Sequence, residues 1–281
     1  MHINPKQEIR RSKFAMFGIA MLLLLLIIAI FGPLLIPYQP HDQTPSAFEP
    51  PSSSHWLGTN HVGEDILSQL IYGARTSLLV GFLAAFLAII LSAIIGTSAA
   101  LVGGLYDRIV MRIVDAFIVI PSIIVIILVA AYLKPNLLVL ILLLALLGWQ
   151  GAARTIRAQA LSVKELGHIS AARSFGASNL YLIFRHILPD LVPILVMVFV
   201  YGVRRAVFME AGLAFLGIAD PAVVSWGMMM HEALDFSYLD AWRWWLIPPG
   251  VALSLTILSI TGIGYTLEGA LDPRLRSEAN A

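Results

Sequence analysis

Ile169–Asp190 reads I-S-A-A-R-S-F-G-A-S-N-L-Y-L-I-F-R-H-I-L-P-D, a polar and basic segment set between long apolar runs. Ser170-Ala171-Ala172-Arg173 is followed by Phe175-Gly176, then by a second amphipathic run that is expected to stop at Pro189. The pattern predicts two short helices meeting at a corner. Gly176 is suited to the left-handed conformation that ends the first helix. Ser178 is placed to accept a hydrogen bond from the first free N–H groups of the second. An ordered elbow between apolar runs reads as a docking surface rather than a linker.

The rest of the chain sets that elbow in a membrane. Of 281 residues, 59% are hydrophobic and 12% charged, and the mean hydropathy is +0.85, far too apolar for a soluble domain. A net charge of +1 gives no reason to expect a nucleic-acid partner. The absence of cysteine excludes disulfides, thiolate metal sites and thiol redox chemistry. No G-x-x-x-x-G-K-[ST] loop occurs, so any ATP chemistry must reside in another chain.

Outward from the elbow, the apolar runs predict an all-α membrane protein with six transmembrane helices. A tail, 1–13, precedes a first span, 14–36, long enough to cross a hydrocarbon core of about 30 Å. A signal peptide is the competing reading of this start. However, Pro37-Tyr38-Gln39-Pro40 stands where a small-residue cleavage site would be needed. A polar loop, 37–76, leads into a five-helix core, 77–268, which includes the elbow loop 154–190, and a tail, 269–281, follows. Within the core, spans are expected over 77–105, 110–132 (kinked at Pro121), 137–153, 191–217 and 244–267. Gly81, Ser92, Ala93, Gly96, Ser98 and Ala99 would let the second span approach its neighbours closely. Trp242, Trp244 and Trp245 fall where an interfacial aromatic belt is expected.

Positive charge orients the spans. Lys6, Arg10, Arg11 and Lys13, then Arg108 and Arg112, share one side with Arg154, Arg157, Lys164, Arg173 and Arg185 of the elbow loop and with Arg274 and Arg276. Only Arg75, Lys134 and Arg243 fall opposite. The positive-inside rule therefore predicts cytoplasmic termini and a cytoplasmic elbow.

Ala171-Ala172-x-x-x-Gly176, with Ile187-Leu188-Pro189 after it, resembles the EAA loop of ATP-binding-cassette importer permeases. The wider chain resembles the C-type permease subunit of the dipeptide/oligopeptide/nickel transporter family. His55-Trp56-Leu57-Gly58-Thr59 with Gly63-x-Asp65 carries this likeness, as do Tyr72-Gly73-Ala74-Arg75-x-Ser77-Leu78 and Glu210-Ala211-Gly212-Leu213-x-Phe215-Leu216-Gly217 with Ser225-Trp226-Gly227. Leu271-Asp272-Pro273-Arg274 adds to it. The resemblance implies that the elbow is a coupling helix seated in a cytoplasmic ATPase, with Ser170, Ala171, Ala172, Arg173 and Gly176 as the contact. It also implies a heterodimer with a related permease, two ATPase subunits below and an extracytoplasmic solute-binding protein above. The chain itself would perform no chemistry and hold no cofactor. A short peptide is the expected cargo, with nickel or an oligosaccharide as alternatives. A juxtamembrane helix resting on anionic lipid is the plainer reading of the elbow.

Two features depart from the family. Ser170 stands where glutamate is usual, and Arg204 and Arg205 occupy the middle of the fifth span. A charge at mid-bilayer costs about 2.5–3.5 kcal/mol on insertion scales and seldom faces lipid. Arg204, Arg205 and Glu210 are therefore candidates for the translocation path, with a salt bridge to the partner permease as the competing role. Met228-Met229-Met230-His231 and the His55–His61 segment invite a metal reading, but packing fits both better, since three consecutive methionines cannot face one ion on a helix. A secondary transporter would draw on Asp115 and Glu210. An intramembrane enzyme would need a constellation the spans do not contain.

Overall fold

Asp65 opens the longest helix. Its carboxylate accepts from the backbone N–H of Ser68 at 2.8 Å and from the Ser68 hydroxyl at 2.7 Å, and its other oxygen meets His55 Nδ1 at 2.9 Å. Capped this way, the helix starts at the polar Ile66–Thr76 stretch that the hydropathy pattern assigns to a loop. The second span therefore begins about a dozen residues earlier than expected.

The computed structural model describes residues 12–133 and 136–271. The tail residues Lys6, Arg10 and Arg11, then Lys134, and the Asp272-Pro273-Arg274 part of the last motif lie outside the described residues. The described elements are all helical: α1 (Lys13–Phe31), α2 (Ile66–Val102), α3 (Gly104–Val119), α4 (Ser122–Tyr132), α5 (Leu137–Leu146), α6 (Gln150–Lys164), α7 (Gly167–Ser174), α8 (Asn179–Leu182), α9 (Leu188–Phe215), α10 (Trp226–Asp235), α11 (Trp242–Trp245) and α12 (Ile247–Leu271).

Among the described residues four helical stretches are long and apolar enough to cross a membrane, and up to six if each of two bent pairs makes one span. The first pair, α3 and α4, turns by 73° at Ile120-Pro121, a break rather than a kink. Pro121 supplies no N–H and pushes Ile120 to an extended conformation, so the helix stops and restarts. The second pair, α5 and α6, bends by 43° at Leu147-Gly148-Trp149. This pair carries the helical chain from Leu137 to Lys164, well past the expected end near Ala153.

Helix α2 is the central post, packing on α5, α6 and α9. Its buried face is made of Gly73, Ala74, Ser77, Gly81, Ala84, Ala85, Ala88, Ser92, Gly96 and Ala99. A side chain has no room on this face: a Cβ at Gly96 would sit 2.7 Å from the Ala153 carbonyl oxygen, and one at Gly81 would sit 2.3 Å from Val207 Cγ2. Close backbone approach is what holds helices together where lipid is as apolar as the side chains. Two ion pairs tie α3 to α6. Arg157 grips Asp107 through two bonds of 2.5 Å, and Arg154 pairs with Asp115. Helix α1 lies on α12, where Gly18 faces the Ser259 backbone.

Residues 37–65 fold over the N-terminal end of α2 without regular secondary structure. Gly58 and Gly63 have φ of +75° and +84°, and a Cβ at either would strike a backbone carbonyl oxygen at 2.3 Å. That explains the glycines of the His55–Gly63 motif. His55 is 5% exposed and bonded to Asp65, so it serves packing; among the described residues no group of three or more His, Asp or Glu is arranged to hold a metal. Trp245 is not part of an interfacial belt. It is fully buried and stacks on His61 and Phe236 with ring centroids 5.5 and 5.8 Å apart, because the folded loop offers it an apolar bed.

Candidate functional site: the elbow and the intramembrane arginines

The elbow forms as two short helices around Gly176. Helix α7 ends in a paired-bond motif, with the Gly176 N–H donating to Arg173 O at 3.0 Å and the Ala177 N–H to Ala172 O at 3.1 Å. Gly176 has φ of +84°, the left-handed conformation this closure requires. Ser178 then caps α8 by accepting from the Tyr181 N–H at 3.3 Å.

The second helix does not stop at Pro189. A π-turn over Ile183–Ile187 follows α8, and its last bond runs from the Leu188 N–H back five residues to Ile183 O. Pro189 lies in the first turn of α9 directly after the π-turn, and the helix continues through it into the long apolar stretch. The second half of the elbow is therefore part of a 37-residue helical stretch from Asn179 to Phe215.

One side of the elbow is anchored and the other is free. Ile169 is fully buried in a cluster with Ile156, Ala160, Leu182, Ile187 and Leu191. His168 Nε2 meets Asp190 Oδ2 at 3.0 Å, tying α7 to the start of α9, and Lys164 Nζ donates to Ala100 O at 3.1 Å. Ser170, Ala171, Arg173 and Gly176 are exposed, and Ala172 is half-buried. Phe175 stands beside them 93% exposed, with Leu180 and Phe184 also uncovered. Phe175 is the member of this surface that the motif comparison passed over. Its place in an otherwise polar segment, directly before the corner glycine, is the signal that marks it.

The three intramembrane residues sit in separate settings. Arg205 is exposed on the surface of α9, and its guanidinium donates to Ser122 Oγ at 3.1 Å and to Leu147 O at 3.3 Å. Ser122 begins α4 after one break, and Leu147 ends α5 at the other. One guanidinium thus bridges both helix breaks and satisfies a carbonyl that the second break frees. A small cavity of about 30 Å³ opens beside it, between Arg205, Ser122, Gly148 and Gly202. Arg204 lies over the Tyr201 ring, 5.1 Å from its centroid, and the Tyr201 hydroxyl donates to Glu268 at 2.6 Å. Glu210 is 2% exposed where α9 faces α2 and α10, near the Ser77 and Ser225 hydroxyls, with Oε2 unpartnered beside a cavity of about 10 Å³. That is space for one water. The structure brings none of these three into contact with another.

Residues 88–277 match the family model of the binding-protein-dependent transport system inner membrane component. The chain belongs to that family. Residues 7–51 also match the N-terminal transmembrane domain of oligopeptide transport permease C. The dipeptide transport system permease protein DppC of Bacillus subtilis is 35% identical over 272 residues, 96% of this chain and 85% of that protein. A putative peptide transport system permease protein of Brucella suis is 38% identical over 278 residues, 98% of this chain and 93% of the relative. Among solved structures, the inward-facing MetNI methionine ABC transporter matches with a TM-score of 0.56 at 20% identity, over 72% of this chain and 94% of that chain. It shares the fold. As a permease of this family the chain is a multi-pass membrane subunit and not an enzyme; ATP hydrolysis belongs to a separate subunit.

Proposed function

We propose that this permease forms half of the translocation path of an ATP-driven importer of short peptides and is driven through its elbow. The observation that carries the reading is the elbow's construction. It is closed by Gly176, seated on the core through Ile169 and continuous, from Asn179, with the helical stretch that ends at Phe215. A lever of that kind transmits a push on Ala171, Ala172, Arg173 and Phe175 into α9, where a loop would absorb it. Ser170, at the usual glutamate position, presents a small hydroxyl to the ATPase, and Phe175 supplies apolar contact beside it. Six spans, with α3–α4 and α5–α6 each making one broken span, leave both termini and the elbow in the cytoplasm, as the charge distribution requires. A second permease completes the path, two ATPases dock below, and a solute-binding protein delivers cargo to the loop face. Peptide cargo rests on the names of the most similar relatives.

The chain has no cysteine, so Ala171→Cys gives one addressable thiol. In inside-out vesicles stripped of peripheral proteins a maleimide is expected to label it, and re-added ATPase subunits should block the reaction. Labelling in intact spheroplasts by a membrane-impermeant maleimide would place the elbow outside and overturn the reading.

Arg204 and Arg205 are assigned to the wall of the path, whereas Glu210, 2% exposed between α9, α2 and α10, lies behind it. Arg205 is exposed on α9 while its guanidinium holds the two breaks, and we assign it as fixed positive charge within reach of a passing peptide carboxylate. Replacing it with glutamine removes that charge and weakens the grip on Leu147 O. Uptake of an anionic peptide should fall by about tenfold or more, the equivalent of roughly 1.4 kcal/mol, and uptake of its C-terminal amide should fall much less. An equal loss for both would assign Arg205 to the helix breaks alone.

A further inference from the structure

Between the folded loop and α10 lies a cavity of about 170 Å³ that the importer reading does not use. It is lined by His61 and Glu64 of the loop, Gln69 in the first turn of α2, and Met228 and Glu232 of α10, with His41 at its edge. Most buried polar groups of the loop are paired. Glu64 Oε2 accepts from Asn60 Nδ2 at 2.6 Å and from Gln69 Nε2 at 2.7 Å, and Glu64 Oε1 meets His41 Nδ1 at 3.2 Å. Two atoms are left over. Gln69 is 3% exposed, yet its Oε1 has no hydrogen-bond partner, and neither does the buried His61 Nδ1. An unmet buried acceptor costs about 1–3 kcal/mol, so a cavity beside one is set up for a donor.

We propose that this cavity binds a primary ammonium group, with Glu232 as its counter-ion and Gln69 Oε1 as a neutral acceptor. The chemistry selects this ligand. The cavity offers a carboxylate outside the Glu64 network, an amide oxygen and the thioether of Met228, all acceptors, and an ammonium carries three donors and a charge. A metal ion is the alternative for such a set, and among the described residues no group of three ligating side chains is arranged to hold one. The volume suits an ammonium with a short alkyl stem and a few waters, at about 30 Å³ per water.

Burial and the neighbouring Glu64 carboxylate push the Glu232 carboxyl up to about 7, with Asp235 acting the same way and His231 and His41 against it. Occupancy by a cation should therefore need the ionised form. Binding is full above about pH 7 and weakens about tenfold per unit below it, as the competent fraction falls.

The ammonium has two possible sources, the amino terminus of a peptide cargo and a lysine side chain presented by a docking protein, and the same titration separates them. The full-length permease in lipid nanodiscs is titrated with methylammonium chloride and, in parallel, with tetramethylammonium chloride, which carries no N–H donor. Saturable binding of methylammonium alone at about pH 8, weakened about tenfold by Glu232→Gln and retained by Glu232→Asp, is the expected result. Equal responses to both salts, or wild-type affinity in a Glu232→Gln protein that melts normally, would overturn the proposal. Competition by tri-alanine but not by N-acetyl-tri-alanine assigns the ammonium to peptide cargo; competition by neither assigns it to a docked lysine. No ATPase takes part in the titration, so its failure would leave the importer reading untouched.

Discussion

Gly176→Pro should abolish ATP-driven uptake while leaving a folded, membrane-inserted chain. Proline holds φ near −65°, and Gly176 sits at +84°, so the substituted corner cannot form. The Gly176 N–H that closes α7 on Arg173 O is lost as well. Helix α7 would then swing relative to α9, and a contact face displaced by about 1 Å is enough to cost on the order of a hundredfold in a positioned system. The control is Gly176→Ala. Nothing lies within 4 Å of a Cβ at this position, so alanine meets no steric obstacle and bears only the left-handed backbone cost of about 1–2 kcal/mol. Its uptake should fall between the wild type and the proline variant. Basal ATP hydrolysis by the partner subunits should persist in both, with stimulation lost in the proline variant. If the proline variant imports normally, the elbow is not the lever.

Asp65→Ala should produce the largest loss of stability. The carboxylate caps α2 through the Ser68 N–H, holds the Ser68 hydroxyl and pairs with a His55 that is 5% exposed. Alanine removes all three bonds and strands the imidazole. Leaving a buried hydrogen-bonding group without its partner costs about 1–3 kcal/mol, and the lost cap adds about 1 kcal/mol. Asp65→Asn keeps one oxygen for the cap and turns an NH2 donor toward His55, whose Nδ1 can accept it in the other tautomer, so it should cost less, about 1 kcal/mol. Thermal unfolding of the purified permease in nanodiscs reads both. A wild-type transition for Asp65→Ala would mean that the loop 37–65 is not held by this residue. The consequence reaches function, because that loop forms one wall of the Gln69–Glu232 cavity and covers the end of the central helix.

Much of this architecture was legible in the residues, for identifiable reasons. The elbow carries its own local code, a glycine at the corner and a serine two residues later, and both act within one turn of themselves. The overall helical class follows from composition, since only helices satisfy their backbone within a long apolar run. Other features depend on distant partners. Pro121 announces an interruption, but its 73° depends on how α4 packs, and Leu147-Gly148-Trp149 carries no punctuation stronger than a glycine common in membrane helices. The π-turn before Pro189 has no sequence signature of its own, so a proline that reads as a stop turned out to be the first turn of the next helix. The early start of α2 was available in Asp65-x-x-Ser68, a capping pattern masked by the polar residues after it. Arg204 and Arg205 were visible as anomalies, yet their different partners, a tyrosine ring and two helix breaks, appear only when separate spans are brought together. Trp245 reads as interfacial from its neighbours in sequence; its burial is decided by a loop nearly two hundred residues earlier.

The most direct test of coupling through the elbow is ATP hydrolysis by the complex copurified with this permease from its native membrane, measured in lipid with its binding protein either empty or loaded with a short peptide. Coupling predicts that ATPase subunits copurify, that the peptide-loaded binding protein stimulates hydrolysis, and that Gly176→Pro removes the stimulation. Recovery of the permease without any ATPase, together with peptide uptake by this chain alone in liposomes, would contradict it and make the protein a secondary transporter.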